Sequence, residues 1–105
     1  MENFNLEKLF NDLLKKKNFN KGLSYTSTLL ENKNLLAKKI GEESIEAILE
    51  FRNNNKEKII QESADLLYHL TVMWVSANIK PDDVWKELYK RKGTSGLDEK
   101  KNRLS

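Results

Sequence analysis

The chain has 105 residues, 38% of them hydrophobic and 33% charged, with one proline and no cysteine, which suffices for one compact domain and not for several. The lack of cysteine excludes a disulfide framework, a thiolate zinc site and a cysteine nucleophile, and a lone histidine, His69, excludes a multi-histidine metal site within one chain. Carboxylates, lysines and hydroxyls are left to do any chemistry. The net charge is only +3, but it is unevenly spread: residues 39–65 carry seven acids against four bases, and residues 86–105 seven bases against three acids. An acidic middle beside a basic end suits a site that takes a cation and a polyanion together, although a basic C-terminus taken alone reads as a solvated tail. The N-terminal MENFNLEKLF lacks the basic and apolar regions of a secretory signal. The longest apolar stretch, 66–77, is interrupted by Tyr68, His69 and Thr71 and falls short of the roughly 20 residues a membrane span needs. A soluble, cytoplasmic protein without a membrane partner is expected.

No internal repeat appears, and the dominant period is helical. Leu6, Leu9, Phe10, Leu13 and Leu14 make one apolar stripe, with Asn3 or Asn5 as N-cap and Lys15, Lys16 and Lys17 at the negative end of the helix dipole; this first helix should stop before an Asn18–Gly22 loop. Ser24 caps a short second helix carrying Leu29 and Leu30, and residues 32–34 form a breaker and the next cap. A third helix over 35–52 ends in the turn Asn53-Asn54-Asn55, and a fourth runs over 56–77 to a stop at Asn78. Pro81 opens a fifth helix, with Asp82 and Asp83 at its positive end and Val84, Trp85 and Leu88 on its apolar face, and Gly93 closes it. The expected fold is all-α: a single domain over 1–92 of four to five helices, followed by a basic, flexible tail over 93–105.

On the third helix Glu42, Glu43, Glu46 and Glu50 fall within roughly 100° of arc, with Lys39 in the same stripe. Like charges at this spacing repel by a few tenths of a kcal/mol per pair, roughly, unless water or a cation screens them. On the fourth helix Glu62, Asp65 and His69 share one face of a segment that is apolar in almost every other direction, so that helix should be buried by its neighbours or by a second subunit. A buried carboxylate needs a partner. Two helices joined by a short turn are antiparallel neighbours, which would set Glu43 and Glu46 opposite Glu62 and Asp65. Such convergence describes either a site for a hard divalent cation or a set of salt bridges to Lys39 or Lys58. The spacing is wrong for a di-iron bundle, which uses Glu-x-x-His pairs.

Lys39-Ile-Gly-Glu42-Glu43-Ser-Ile-Glu46, followed by Glu62-Ser-Ala-Asp65-Leu-Leu-Tyr-His69, resembles the signature of phosphoribosyl-ATP pyrophosphohydrolases, within the MazG-like all-α nucleotide pyrophosphohydrolase superfamily. Glu43-x-x-Glu46 and Glu62-x-x-Asp65 resemble the superfamily's metal motif. Ser24-Tyr25-Thr26, the block from Asp65 to His69 and Glu87-Leu-x-x-Arg91 resemble this branch, over roughly residues 4–91, and Ser95-Gly96-Leu97 is similar to the tail of some members. The resemblance implies hydrolysis of phosphoribosyl-ATP to phosphoribosyl-AMP and pyrophosphate in histidine biosynthesis, Mg²⁺ as cofactor and a homodimer whose helices share a core. It implies Mg²⁺ on Glu43, Glu46, Glu62 and Asp65, and puts Glu42, Glu43 and Glu46 in the catalytic set. Glu42 either orients a water or binds a second ion, or is a surface glutamate; Lys39 either contacts phosphate or pairs with Glu43. Arg91, Lys92 and Ser95 either close over the substrate's phosphates or belong to a solvated helix end. His69 reads as a hydrogen-bonded core or interface histidine, and Trp74, Trp85 and Tyr89 as core or interface aromatics.

Three rivals compete with this reading. A house-cleaning nucleoside triphosphate pyrophosphohydrolase would share the metal site and differ in the base pocket. A non-enzymatic helical dimerisation module would leave the acidic stripe merely solvated, which the interior acids oppose. A nucleic-acid binder would use the basic tail, but the tail bases have no interleaved aromatics, so no nucleic-acid partner is expected.

Overall fold

The computed structural model describes residues 3–19, 24–93 and 103 and contains five helices and no strand among them. Helix α1 spans Leu6–Phe19, with the Asn5 side chain accepting from the Lys8 N–H at 3.0 Å. It runs through Asn18, past the expected end. Asparagine inside a helix costs well under about 1 kcal/mol, too little to stop it before the glycine-containing stretch that follows. Helix α2, Tyr25–Glu31, is capped by Ser24, whose Oγ accepts from the Ser27 N–H at 3.1 Å.

Asn32 alone joins α2 to α3, Lys33–Arg52. Its N–H donates to Leu29 O at 3.2 Å, ending α2, and its side chain accepts from the Leu35 N–H at 3.0 Å, starting α3. Because one residue does both, α3 begins two residues before the expected Leu35. The Asn53–Asn55 turn then works as the sequence suggests. Asn54 takes the left-handed conformation at φ 57°, and Asn55 caps α4, Lys56–Ala77, by accepting from the Lys58 N–H at 3.1 Å. Asn78 closes α4 in the left-handed region at φ 59°. The carbonyl end of α4 also receives Lys17 from α1, whose Nζ lies 3.4 Å from Val75 O and 3.5 Å from Asn78 Oδ1, so that lysine serves a neighbouring helix as well as the end of its own. Buried Pro81 opens α5, Pro81–Lys90.

Helices α3 and α4 form the most extensively packed pair, a helical hairpin, with α1 laid against α4, α2 touching α1, α3 and α4, and α5 resting on α1. The core consists of Phe10, Leu13, Leu29, Leu36, Val72, Trp74 and Val75, and Trp85 of α5 meets Trp74 edge-to-face at 6.5 Å. The neighbours within the chain bury only part of α4. Ile60 and Leu67 are 70% and 43% exposed and share a stripe with exposed Ala64, while α3 leaves Ile45, Ile48 and Leu49 more than half exposed on a stripe of its own. No helix among the described residues is long and apolar enough to cross a membrane. Apart from Gly93, at φ 84°, and Arg103, the expected flexible tail lies outside the described residues.

Candidate active site

The hairpin sets the acids of α3 against those of α4. Glu43, Glu62 and Asp65 each offer a carboxylate oxygen, and these oxygens lie within 4.8 Å of one another. Glu43 and Glu62 are half-buried and Asp65 is exposed. Glu46, one turn beyond Glu43, joins the group through Glu62: hydrogen bonding between those two carboxyls is the largest cause, ahead of desolvation and of Glu43, that pushes the Glu62 carboxyl up to about 7. The neighbouring carboxyls disfavour the charged form of Glu62, and among the described residues no cationic side chain is paired with it to offset them. Two buried oxygens, Glu43 Oε2 and Glu62 Oε2, have no hydrogen-bond partner. Carboxylates from two helices, converging with orphaned oxygens and no matching base, fit a hard divalent cation that prefers oxygen ligands.

The salt-bridge alternative is not what the side chains make. Lys39 pairs with Glu42 at 3.7 Å, not with Glu43, and among the described residues no ion pair involves Glu43, Glu46, Glu62 or Asp65. Glu42 and Lys39 thus form a partly exposed pair on the same helix, outside the three-carboxylate cluster. Arg91 and Lys92, at the end of α5, lean on their own helix. Arg91 bonds Glu87 Oε1 through Nε at 3.2 Å and Nη2 at 3.0 Å, and Lys92 Nζ sits 5.6 Å from the Tyr89 ring centroid. Ser95 lies outside the described residues.

His69 is 5% exposed and hydrogen-bonded at both ring nitrogens, as the sequence suggests for a core histidine. Its Nδ1 lies 2.7 Å from Asp65 O, and its Nε2 2.9 Å from the Tyr25 hydroxyl. Tyr68 stacks on Tyr25 with ring centroids 6.2 Å apart, and Thr26 Oγ1 bonds the Tyr68 hydroxyl. Both tyrosine rings meet His69 edge-on. Tyr25 is the site neighbour that the site reading missed. Burial foremost raises its phenol above the ordinary value, Lys39 opposes, and Tyr68, Glu43 and Asp65 add to the rise; the bond to His69, which in turn meets the Asp65 carbonyl, sets the residue next to the acids. Helix α2 has seven residues, too few for its periodicity to say where Tyr25 points; the signal available was the Ser24-Tyr25-Thr26 triplet.

Comparison with known proteins agrees with this geometry. The sequence model of the family described as "Phosphoribosyl-ATP pyrophosphohydrolase" matches residues 5–92. A phosphoribosyl-ATP pyrophosphatase of Gluconobacter oxydans is 44% identical over 96 residues, covering 90% of this chain and 72% of the relative. One from Paramagnetospirillum magneticum is 40% identical over 93% of this chain and 91% of its own length, and one from Azospirillum brasilense is 40% identical over 95% and 91%. With a match spanning all five helices and the acidic cluster on the α3–α4 hairpin, the chain belongs to the phosphoribosyl-ATP pyrophosphohydrolase family.

Proposed function

We propose that this protein hydrolyses phosphoribosyl-ATP to phosphoribosyl-AMP and pyrophosphate in histidine biosynthesis, that Mg²⁺ on Glu43, Glu46, Glu62 and Asp65 is its cofactor, and that it works as a homodimer. The observation that carries the reading is the convergence of acids from α3 and α4 with two buried, unpartnered oxygens; the names of its relatives supply the substrate. In the reaction a water oxygen bonds to the α-phosphorus, the bond to the bridging α–β oxygen breaks, and pyrophosphate leaves. A bound Mg²⁺ supplies charge neutralisation for the phosphates and acidifies water. The raised Glu62 carboxyl holds its proton more tightly than an ordinary glutamate, and a cation bound beside it would favour the ionised form. Lys39 would contact phosphate oxygens and Glu42 would orient a water, both from the helix that carries Glu43 and Glu46. The exposed stripes on α3 and α4 support the homodimer, because a chain this small gains by covering them.

Pyrophosphate release should be measured from phosphoribosyl-ATP and from the common nucleoside triphosphates, each with and without Mg²⁺. Mg²⁺-dependent release from phosphoribosyl-ATP in preference to the others is expected. Faster turnover of the common triphosphates would reassign the substrate, and turnover unaffected by chelation would remove the metal.

A further inference from the structure

Tyr25, Tyr68 and His69 form an aromatic cluster that is hydrogen-bonded to the backbone carbonyl of Asp65 and so adjoins the acidic site. The Asp65 carbonyl can only accept a hydrogen bond, so His69 Nδ1 carries the proton that points at it. In the neutral ring Nε2 is then the acceptor, and the Tyr25 hydroxyl donates to it. With its one proton committed, the Tyr25 oxygen has only lone pairs left, which repel a phosphate oxygen. What Tyr25 can still give a ligand is its ring. That ring is held at the hydroxyl by His69 and alongside by Tyr68, yet the residue remains 49% exposed. A half-open aromatic surface that is already fixed loses little conformational freedom when a flat partner covers it.

From this geometry we infer that Tyr25 is the platform on which the purine of the substrate stacks, and that His69 is a positioning residue acting through the Tyr25 hydroxyl. The inference rests on the nucleotide substrate of the proposed function and adds the place of its base. If the acids take the phosphates around the α–β bridge, the nucleoside begins immediately beyond the α-phosphate. The Tyr25 hydroxyl is bonded to His69, one helical turn past Asp65 on α4 and itself bonded to the Asp65 carbonyl, so the ring lies next to the acids, where the base would follow the α-phosphate. If Tyr25 and His69 only brace α2 against α4, their loss should lower stability, metal affinity and nucleotide affinity alike.

The test is calorimetric binding of phosphoribosyl-AMP and, in parallel, of AMP to the full chain in Mg²⁺, together with Mn²⁺ binding to the nucleotide-free protein by paramagnetic resonance. Tyr25→Leu should weaken nucleotide binding roughly tenfold, a common size for one base stacked on one aromatic side chain, and leave Mn²⁺ affinity unchanged. Tyr25→Phe keeps the ring and loses only the bond to His69, so its affinity should fall between the two. His69→Gln should weaken nucleotide binding in the native background and add nothing in the Tyr25→Leu background, since it acts through that ring. Should His69→Gln fail to fold, the two Tyr25 variants still decide the matter. Wild-type nucleotide affinity in Tyr25→Leu overturns the inference, and so does an equal loss of Mn²⁺ and nucleotide affinity. AMP binding without phosphoribosyl-AMP binding would overturn the substrate reading alone, and the platform would then be judged on AMP. If neither nucleotide binds, both readings fall.

Discussion

Replacing Ile48 by glutamate separates folding from association. Ile48 lies on α3 between Ile45 and Leu49 on an apolar stripe and is 57% exposed, so a single chain loses little when it is changed. Glutamate is also at least as good a helix former as isoleucine. Fully burying an isoleucine side chain gains about 1.5–3 kcal/mol, and covering the exposed half of this one gains roughly 1–2 kcal/mol. In a twofold dimer each substitution counts twice, for roughly 2–4 kcal/mol, or a rise of about thirty- to several hundredfold in the dimer dissociation constant. Desolvating the new carboxylate at the contact adds to that figure. Sedimentation velocity over a concentration series, with circular dichroism on the same samples, reads both quantities. The expected result is an unchanged helical spectrum with the monomer appearing at far higher concentration than in the wild type. A wild-type chain that sediments as a monomer throughout, or an Ile48→Glu variant that associates as tightly as the wild type, would refute the assignment of this stripe to a second copy.

Replacing Asp65 or Glu46 by alanine should abolish Mg²⁺-dependent pyrophosphate release with the helical spectrum retained; full activity in either variant would remove that residue from the site. The raised Glu62 carboxyl makes the metal-free protein sensitive to pH in a defined direction. The folded state keeps a proton that the unfolded chain surrenders above about 4.5, so this contribution is whole below that pH and is lost as pH rises through about 7. Thermal melts of the metal-free protein should therefore show Tm falling from about pH 5 to about pH 8, with the fall flattened in Glu62→Gln and Tm at the upper pH restored by Mg²⁺; a Tm that rises over that range would contradict a raised Glu62 carboxyl. Leu29 is fully buried, and Leu29→Ala should cost about 2–5 kcal/mol in urea unfolding. A loss near zero would mean that α2 does not seal the core.

The sequence by itself determined most of the helical architecture, because its signals are local. Asn5, Ser24, Asn32, Asn55 and Asn78 each cap or close a helix through bonds to residues no more than four positions away, and such chemistry is visible wherever the residue types stand in order. The meeting of Glu43 with Glu62 and Asp65 was legible for a related reason. A three-residue turn between two long helices leaves an antiparallel hairpin as the natural packing, and the residue counts on either side of the turn then set which acids face each other. Boundaries slipped by two residues at the start of α3, where one asparagine serves two helices at once and the sequence offers two asparagines, Asn32 and Asn34, as the cap. What only tertiary structure decided was which of several equivalent side chains meets which partner. Lys17 crossed to the end of α4, and Tyr25, 44 positions away from His69, found its ring nitrogen. Choices of that kind turn on the rotation and offset of packed helices, which place polar atoms to within an ångström, whereas hydrophobic periodicity defines a helix face only to within about a quarter of a turn.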